Sequence, residues 1–249
     1  MTLVGVEIDA VTEAAAIDRL GAALAAGDGG RIITPNLDQL RLADQRPELH
    51  RLYDEADLVL ADGMPLIWAA RLQGTPLPER VAGSNLVWSM AALAASRGAP
   101  LFLLGGNPGS AEAAAAKLVE RHPQLKIAGT YCPPFGFEAD PAELPKIRGM
   151  VTASGARVVF VGLGYPKQEH LIGELMADLP EVWFLGCGIS LSFIAGDVAR
   201  APRWMQRTGL EWLHRLRQEP RRLARRYLRD DPPFALKLFA AALMTRLRR

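Results

Sequence analysis

RVVFVGLGYPKQEHLIGELM, residues 157–176, sets the architecture. Val158 to Val161 is an unbroken apolar run of β-branched and aromatic residues, the pattern of a strand buried on both faces. Gly162 and Gly164 then make a turn, and from about Lys167 the apolar residues recur at helical spacing. A strand that passes through glycines into a helix is one step of a parallel α/β sheet. The step repeats along the chain. LVGVEI (3–8), RIIT (31–34), DLVLADG (57–63), LFLLGG (101–106), KIAGTYC (126–132) and VWFLGCG (182–188) read as further strands, with Ala/Leu-rich helical stretches between them. The fold class expected is α/β: a Rossmann-like, mostly parallel sheet flanked by helices, with a C-terminal basic helical appendage.

The charge distribution supports that last element. The net charge of the 249 residues is only +2, but residues 200–249 carry +10 and residues 1–199 carry −8. Of the fourteen basic residues in 200–249, thirteen are arginine. The guanidinium fork matches phosphate oxygens in pairs, so a segment this biased towards arginine points to an anionic partner. The boundaries expected are 1–199 for an α/β catalytic domain and 200–249 for an arginine-rich, membrane-docking appendage. Within the appendage the pattern predicts a helix over about 208–219, a second helix from Pro220, a break at Asp230–Pro233, and a final helix from Phe234 with an apolar face and a basic end. Two cysteines and four scattered histidines give neither a disulfide framework nor metal-ligand spacing. The N-terminal stretch lacks the basic start of a secretory signal, and no apolar run reaches the roughly 20 residues of a membrane span. The location expected is cytoplasmic.

In an open parallel sheet, ligands bind beyond the carboxyl ends of the strands. The turns there are rich in chemistry. GGNPGS (105–110) leads into a helix and offers Gly105, Gly106 and Asn107 to an anion; the alternative is a plain βα turn. It matches neither the dinucleotide fingerprint nor a P-loop, which argues against an oxidoreductase. An arginine-rich nucleic-acid-binding module is the other alternative, and the acidic body argues against nucleic acid as a partner. Asp62 follows an apolar run and precedes a glycine. It reads either as a general base facing the cleft or as a helix N-cap. Lys167 and Gln168, at a helix start, read either as diphosphate and sugar ligands or as a solvated first turn.

Together these segments resemble the WecG/TagA/CpsF glycosyltransferases, family 26. The matching stretches are TPNLDQL, LADGMPLIWAARLQGTPLPERVAGSNLV, LFLLGGNPGS, VFVGLGYPKQE, GCGISLSFIAGDVARAPRWMQRTGLEWLHRL and QEPRRLARRYL, spanning about 34–228. The resemblance implies inverting transfer of a hexose or N-acetylhexosamine-type sugar from a UDP-sugar to an undecaprenyl-diphosphate-linked sugar, in exopolysaccharide, capsule, teichoic acid or common-antigen synthesis. It implies no metal and no organic cofactor. It gives Asp62 as base with Thr34 beside it. It has Arg80 and Gln168 line the substrate pocket, and the strand-end turns add Asn36, Gly105, Gly106, Asn107, Lys167, Gly186 and Gly188 as candidate substrate ligands. Arg215, Arg222 and Arg225 reach back to the diphosphate. It further implies docking on an anionic membrane surface at the inner face of the plasma membrane, and it is compatible with a homo-oligomer. Ser192 stands where many members have Asp, so the donor sugar stays open.

Overall fold

The computed structural model describes residues 1–248. The elements in chain order are β1 (Thr2–Leu3), β2 (Val6–Glu7), α1 (Glu13–Ala26), β3 (Gly30–Ile33), α2 (Leu37–Gln45), α3 (His50–Asp54), β4 (Leu58–Val59) and α4 (Met64–Gln73). Then come α5 (Gly83–Arg97), β5 (Leu101–Gly105), α6 (Ser110–Arg121), β6 (Ile127–Tyr131), α7 (Glu143–Ser154), β7 (Val158–Gly162), α8 (Lys167–Met176), β8 (Trp183–Gly186) and α9 (Ser190–Ala195). The C-terminal segment forms α10 (Arg203–Thr208), α11 (Glu211–Gln218), α12 (Pro220–Arg225) and α13 (Asp231–Leu247). The main sheet is six-stranded and parallel, in the order β4-β3-β8-β7-β5-β6. Val158, Val159, Phe160 and Val161 are fully buried, as expected of a strand covered on both faces. On one face Phe102, Val159 and Phe184 from three neighbouring strands pack against Ile147, Val151, Ile172 and Leu175 from α7 and α8.

Several expectations needed correction. The 3–8 run is not one strand of the main sheet. Val4, at φ 42°, and Gly5, at φ 85°, turn it into the two-residue antiparallel hairpin β1-β2. LDQLRLADQRPELHRLYDEA (37–56) reads as one helical stretch, but the helix stops at Gln45, because Pro47 cannot donate to the ladder; the chain resumes through a short 3₁₀ turn into α3. The helix expected over 208–219 is present as α11, but a further short helix, α10, precedes it and ends at Gly209, at φ 77°. The break expected at Asp230–Pro233 is absent. Residues 226–230 make a π turn that runs on into α13, and both prolines fall in the first turn of α13, where proline is tolerated.

The chain divides into two compact units, one of residues 1–12, 34–82 and 199–249, the other of residues 13–33 and 83–198. In the first unit α13 packs along α4 and α2 and buries Phe234, Leu238 and Ala242. Residues 200–248 are therefore built into the unit that carries β4 and α4. The second unit holds β3, β5, β6, β7 and β8 with their helices.

Candidate active site

In the first unit three loops are tied together by backbone hydrogen bonds. Asp62 N–H donates to the Pro35 carbonyl at 2.9 Å, which sets the Thr34–Asn36 turn beside Asp62. Val81 N–H donates to the Ala61 carbonyl at 3.0 Å, which brings Arg80 to the same place. Thr34 is buried and Asp62 is half-buried. The N-cap of α4 is Gly63, at φ 120°, not Asp62. A positive φ of that size is open to glycine and strained for other residues, so Gly63 is what lets the chain turn from Asp62 into α4. The N-cap position of α4 thus belongs to Gly63, with Asp62 one residue before it.

The C-terminal segment reaches these loops. Arg80 Nη1 donates to Glu211 of α11 at 3.0 Å. Asn36 Oδ1 caps α2 by accepting from Asp38 and Gln39 N–H, and it also accepts from Arg226 Nη2 at 3.2 Å. Arg226 pairs in addition with Asp38 at 3.2 Å and Asp231 at 3.5 Å, and Arg41 pairs with both of those carboxylates. Burial pushes the Asp231 carboxyl above the usual carboxylate range, against the pull of the Arg226 and Arg41 charges. Of the arginines picked from the sequence, Arg222 forms a two-pronged pair with Glu219 and Arg225 sits 78% exposed beside Asp230. Arg215 is half-buried on α11. Arg226 was not among the candidates. Its position one residue from Arg225 in the π turn swings it to the Asn36 loop, and no helical periodicity anticipates a π turn.

In the second unit the turns after the strands are likewise joined. Gly106 N–H donates to the Gly162 carbonyl at 2.8 Å, and Cys132 Sγ lies 3.3 Å from the Gly106 carbonyl. The Ser110 hydroxyl at the start of α6 donates to Asp197, which sets a carboxylate at the end of the GGNPGS turn. Ser192 Oγ is 3.4 Å from the same hydroxyl. Asn107 accepts at its backbone carbonyl from Ser110 N–H. Lys167 pairs with Glu138 and lies over the rings of Phe135 and Phe137, with Phe135 fully exposed. Gln168 is buried, and its Oε1 accepts from both Gly164 and Gly188 N–H. Glu169 beside it is buried too, and desolvation pushes its carboxyl up to about 7, against the lowering effects of Gln168 and the Arg31 charge. The Cys187 thiol, also buried, is pushed up to about 12 and is no nucleophile at neutral pH.

Away from these turns, Thr2–Gly5, Gln73, Leu238, Ala241, Ala242 and Thr245 line a cleft of about 350 Å³ that contains no titratable side chain. No helix of the described residues is long and apolar enough to cross a membrane. The profile of the Glycosyl transferase WecG/TagA/CpsF family matches residues 1–248.

Proposed function

Because the chain belongs to the WecG/TagA/CpsF glycosyltransferase family, we propose that it moves a sugar from a UDP-sugar to an undecaprenyl-diphosphate-linked acceptor with inversion. The single observation that carries the mechanism is the setting of Asp62: half-buried, placed just before the Gly63 N-cap of α4, and hydrogen-bonded through its backbone to the Thr34–Asn36 turn. In the reaction the Asp62 carboxylate takes the proton of the acceptor hydroxyl. That oxygen attacks the anomeric carbon from the face opposite the diphosphate, the C1–O bond breaks, and UDP leaves with the electron pair. Thr34 and Arg80 flank the base. The glycine turns (105–106, 186–188), Asn107 and Lys167 face the donor, Lys167 exchanging Glu138 for a phosphate oxygen. Arg215, Arg222 and Arg225 balance the charge on the leaving diphosphate, Arg222 by giving up Glu219. The exposed basic and apolar residues of 200–248 hold the protein against an anionic membrane where the lipid-linked acceptor lies.

The test is UDP release by the full chain given an undecaprenyl-diphosphate-linked sugar and a panel of UDP-sugars, with Asp62→Asn in parallel. Release with one donor, reduced about 10²–10⁴-fold in the variant with UDP affinity kept, is the expected result. Equal rates in the two proteins would remove Asp62 as base, and no UDP binding by the native protein would remove the proposal.

A further inference from the structure

The turns that follow β7 and β8 meet on one side chain. Gln168 Oε1 accepts from Gly164 N–H and from Gly188 N–H, each at 3.1 Å. Its Nε2 donates to Glu169 Oε1 at 2.9 Å. Two N–H donors on one side and a carboxylate on the other leave one orientation of the amide that satisfies every group. Glu169 is itself held deep in the unit. Arg31 of β3, fully buried, donates Nη1 to the Glu169 carbonyl at 3.4 Å. Gly186 makes room for the pair, since a Cβ there would stand 2.1 Å from Glu169 Oε1 and 2.5 Å from Gln168 Nε2. Both lone pairs of Gln168 Oε1 are spent inside the protein, and the side chain is only 2% exposed. A residue that grips a sugar hydroxyl needs a polar end presented to the ligand, and Gln168 has its oxygen turned to the backbone.

We propose that Gln168 is a positioning residue: its amide clamps the turns at 162–166 and 186–190 in the shape that receives the donor, and Glu169 orients that amide. What the turns receive rests on the transferase reading; the clamp itself does not. The clamp acts on the backbone that faces the nucleotide portion common to every donor, so its loss weakens UDP and UDP-sugar alike. A sugar ligand would affect the UDP-sugar alone.

The experiment measures amide hydrogen exchange at Gly164 and Gly188, and calorimetric affinities for UDP and a UDP-sugar. Both are run on the full chain and on Gln168→Met, Glu169→Leu and Glu169→Gln. Losing the clamp's hydrogen bonds is expected to speed exchange at both glycines by about tenfold or more in Gln168→Met and in Glu169→Leu. UDP and UDP-sugar should weaken by one common factor in both. Glu169→Gln still offers an oxygen to Nε2 and is expected to stay close to the native protein. Unchanged glycine exchange in Gln168→Met overturns the clamp, as does a loss confined to the UDP-sugar. Should Gln168→Met not fold, Glu169→Leu decides by the same two readouts. A native protein that binds no UDP would sink the transferase reading, and the exchange data would still decide the clamp.

Discussion

Glu169 is an acid that the fold keeps partly protonated near neutrality, because the cost of burying its charge exceeds what Gln168 and Arg31 return. The groups that face it are Arg31 from β3, Gln168 on its own helix and the Cys187 thiol after β8. Its folded value, about 7, lies above the ordinary 4.5. The native state thus binds the proton more tightly than the unfolded chain. The contribution to stability is fully present below about pH 4.5 and is lost as pH rises through 7. The size is on the order of 3 kcal/mol, from about 1.4 kcal/mol per pH unit. Glu169→Gln carries no titrating group and is expected to flatten the stability profile between pH 5 and 8. The variant gains on the native protein at the alkaline end. Urea unfolding at four or five pH values checks this, and parallel profiles for the two proteins would mean that Glu169 keeps its ordinary value.

Among the elements, the π turn at 226–230 separates two arginines that sequence treats alike. Arg226 is turned inward onto Asn36, Asp38 and Asp231; Arg225 points to solvent. Arg226→Ala leaves two carboxylates with Arg41 as their remaining cation in this cluster. It is expected to cost about 1–3 kcal/mol, with a Tm lower by several degrees. Arg225→Ala is expected to stay within about 0.5 kcal/mol of the native stability while slowing UDP release in the transfer assay. Calorimetric Tm values for the two variants, set beside their rates, check both. A low Tm for Arg225→Ala or an unchanged one for Arg226→Ala would reverse the assignment. This pair also marks what is legible in the sequence. Periodicity and glycine turns locate β3, β5, β7 and β8, because strands covered on both faces leave continuous apolar runs, and they locate α6 and α8 after two of them; β6, half-buried at the sheet edge, has no such run, and α7 and α9 leave no signal as clear. The candidate residues Thr34, Asp62 and those of the glycine turns follow from the strand ends, whereas Arg80, in the loop between α4 and α5, comes only with the family resemblance. Local signals fail where a tertiary contact decides. Examples are Val4 at positive φ in the hairpin, Pro232 and Pro233 inside a continuing helix, and Gln168, whose partners Gly164 and Gly188 belong to different turns.

For the whole molecule, the charge division read from sequence takes a different meaning in the fold. Residues 1–12 and 34–82 carry a net −5, and they fold together with 199–249 at +10. Part of that charge is neutralised within the unit, by Arg226 on Asp38 and by Lys237 on Asp44 at 2.7 Å. The basic side chains left exposed include Arg203, Arg207, Arg217, Arg221, Arg225 and Arg229. They share the segment with exposed Trp204, Trp212 and Leu228. The last helix adds a second apolar stripe. Leu236, Leu243 and Leu247 recur at helical spacing and are exposed, on the side opposite Phe234, Leu238 and Ala242, which are buried against α4 and α2. The stripe that inserts in the docking proposal is thus the outer one, because the inner one is already covered. Replacing Leu236, Leu243 and Leu247 by Gln removes exposed apolar area that the docking proposal assigns to the membrane. The triple variant is expected to lose about tenfold or more in affinity for vesicles of anionic lipid, with its Tm unchanged. Binding by the native protein is expected to weaken with added salt as the arginines are screened. Leu238→Ala, on the inner stripe, is expected to lower stability by about 2–5 kcal/mol. Co-sedimentation with anionic and neutral vesicles reads the first effect and thermal unfolding the second. Vesicle binding that survives the triple Gln variant at low salt would assign docking to the arginines and tryptophans before α13, and binding to neither kind of vesicle by the native protein would remove the membrane from the account.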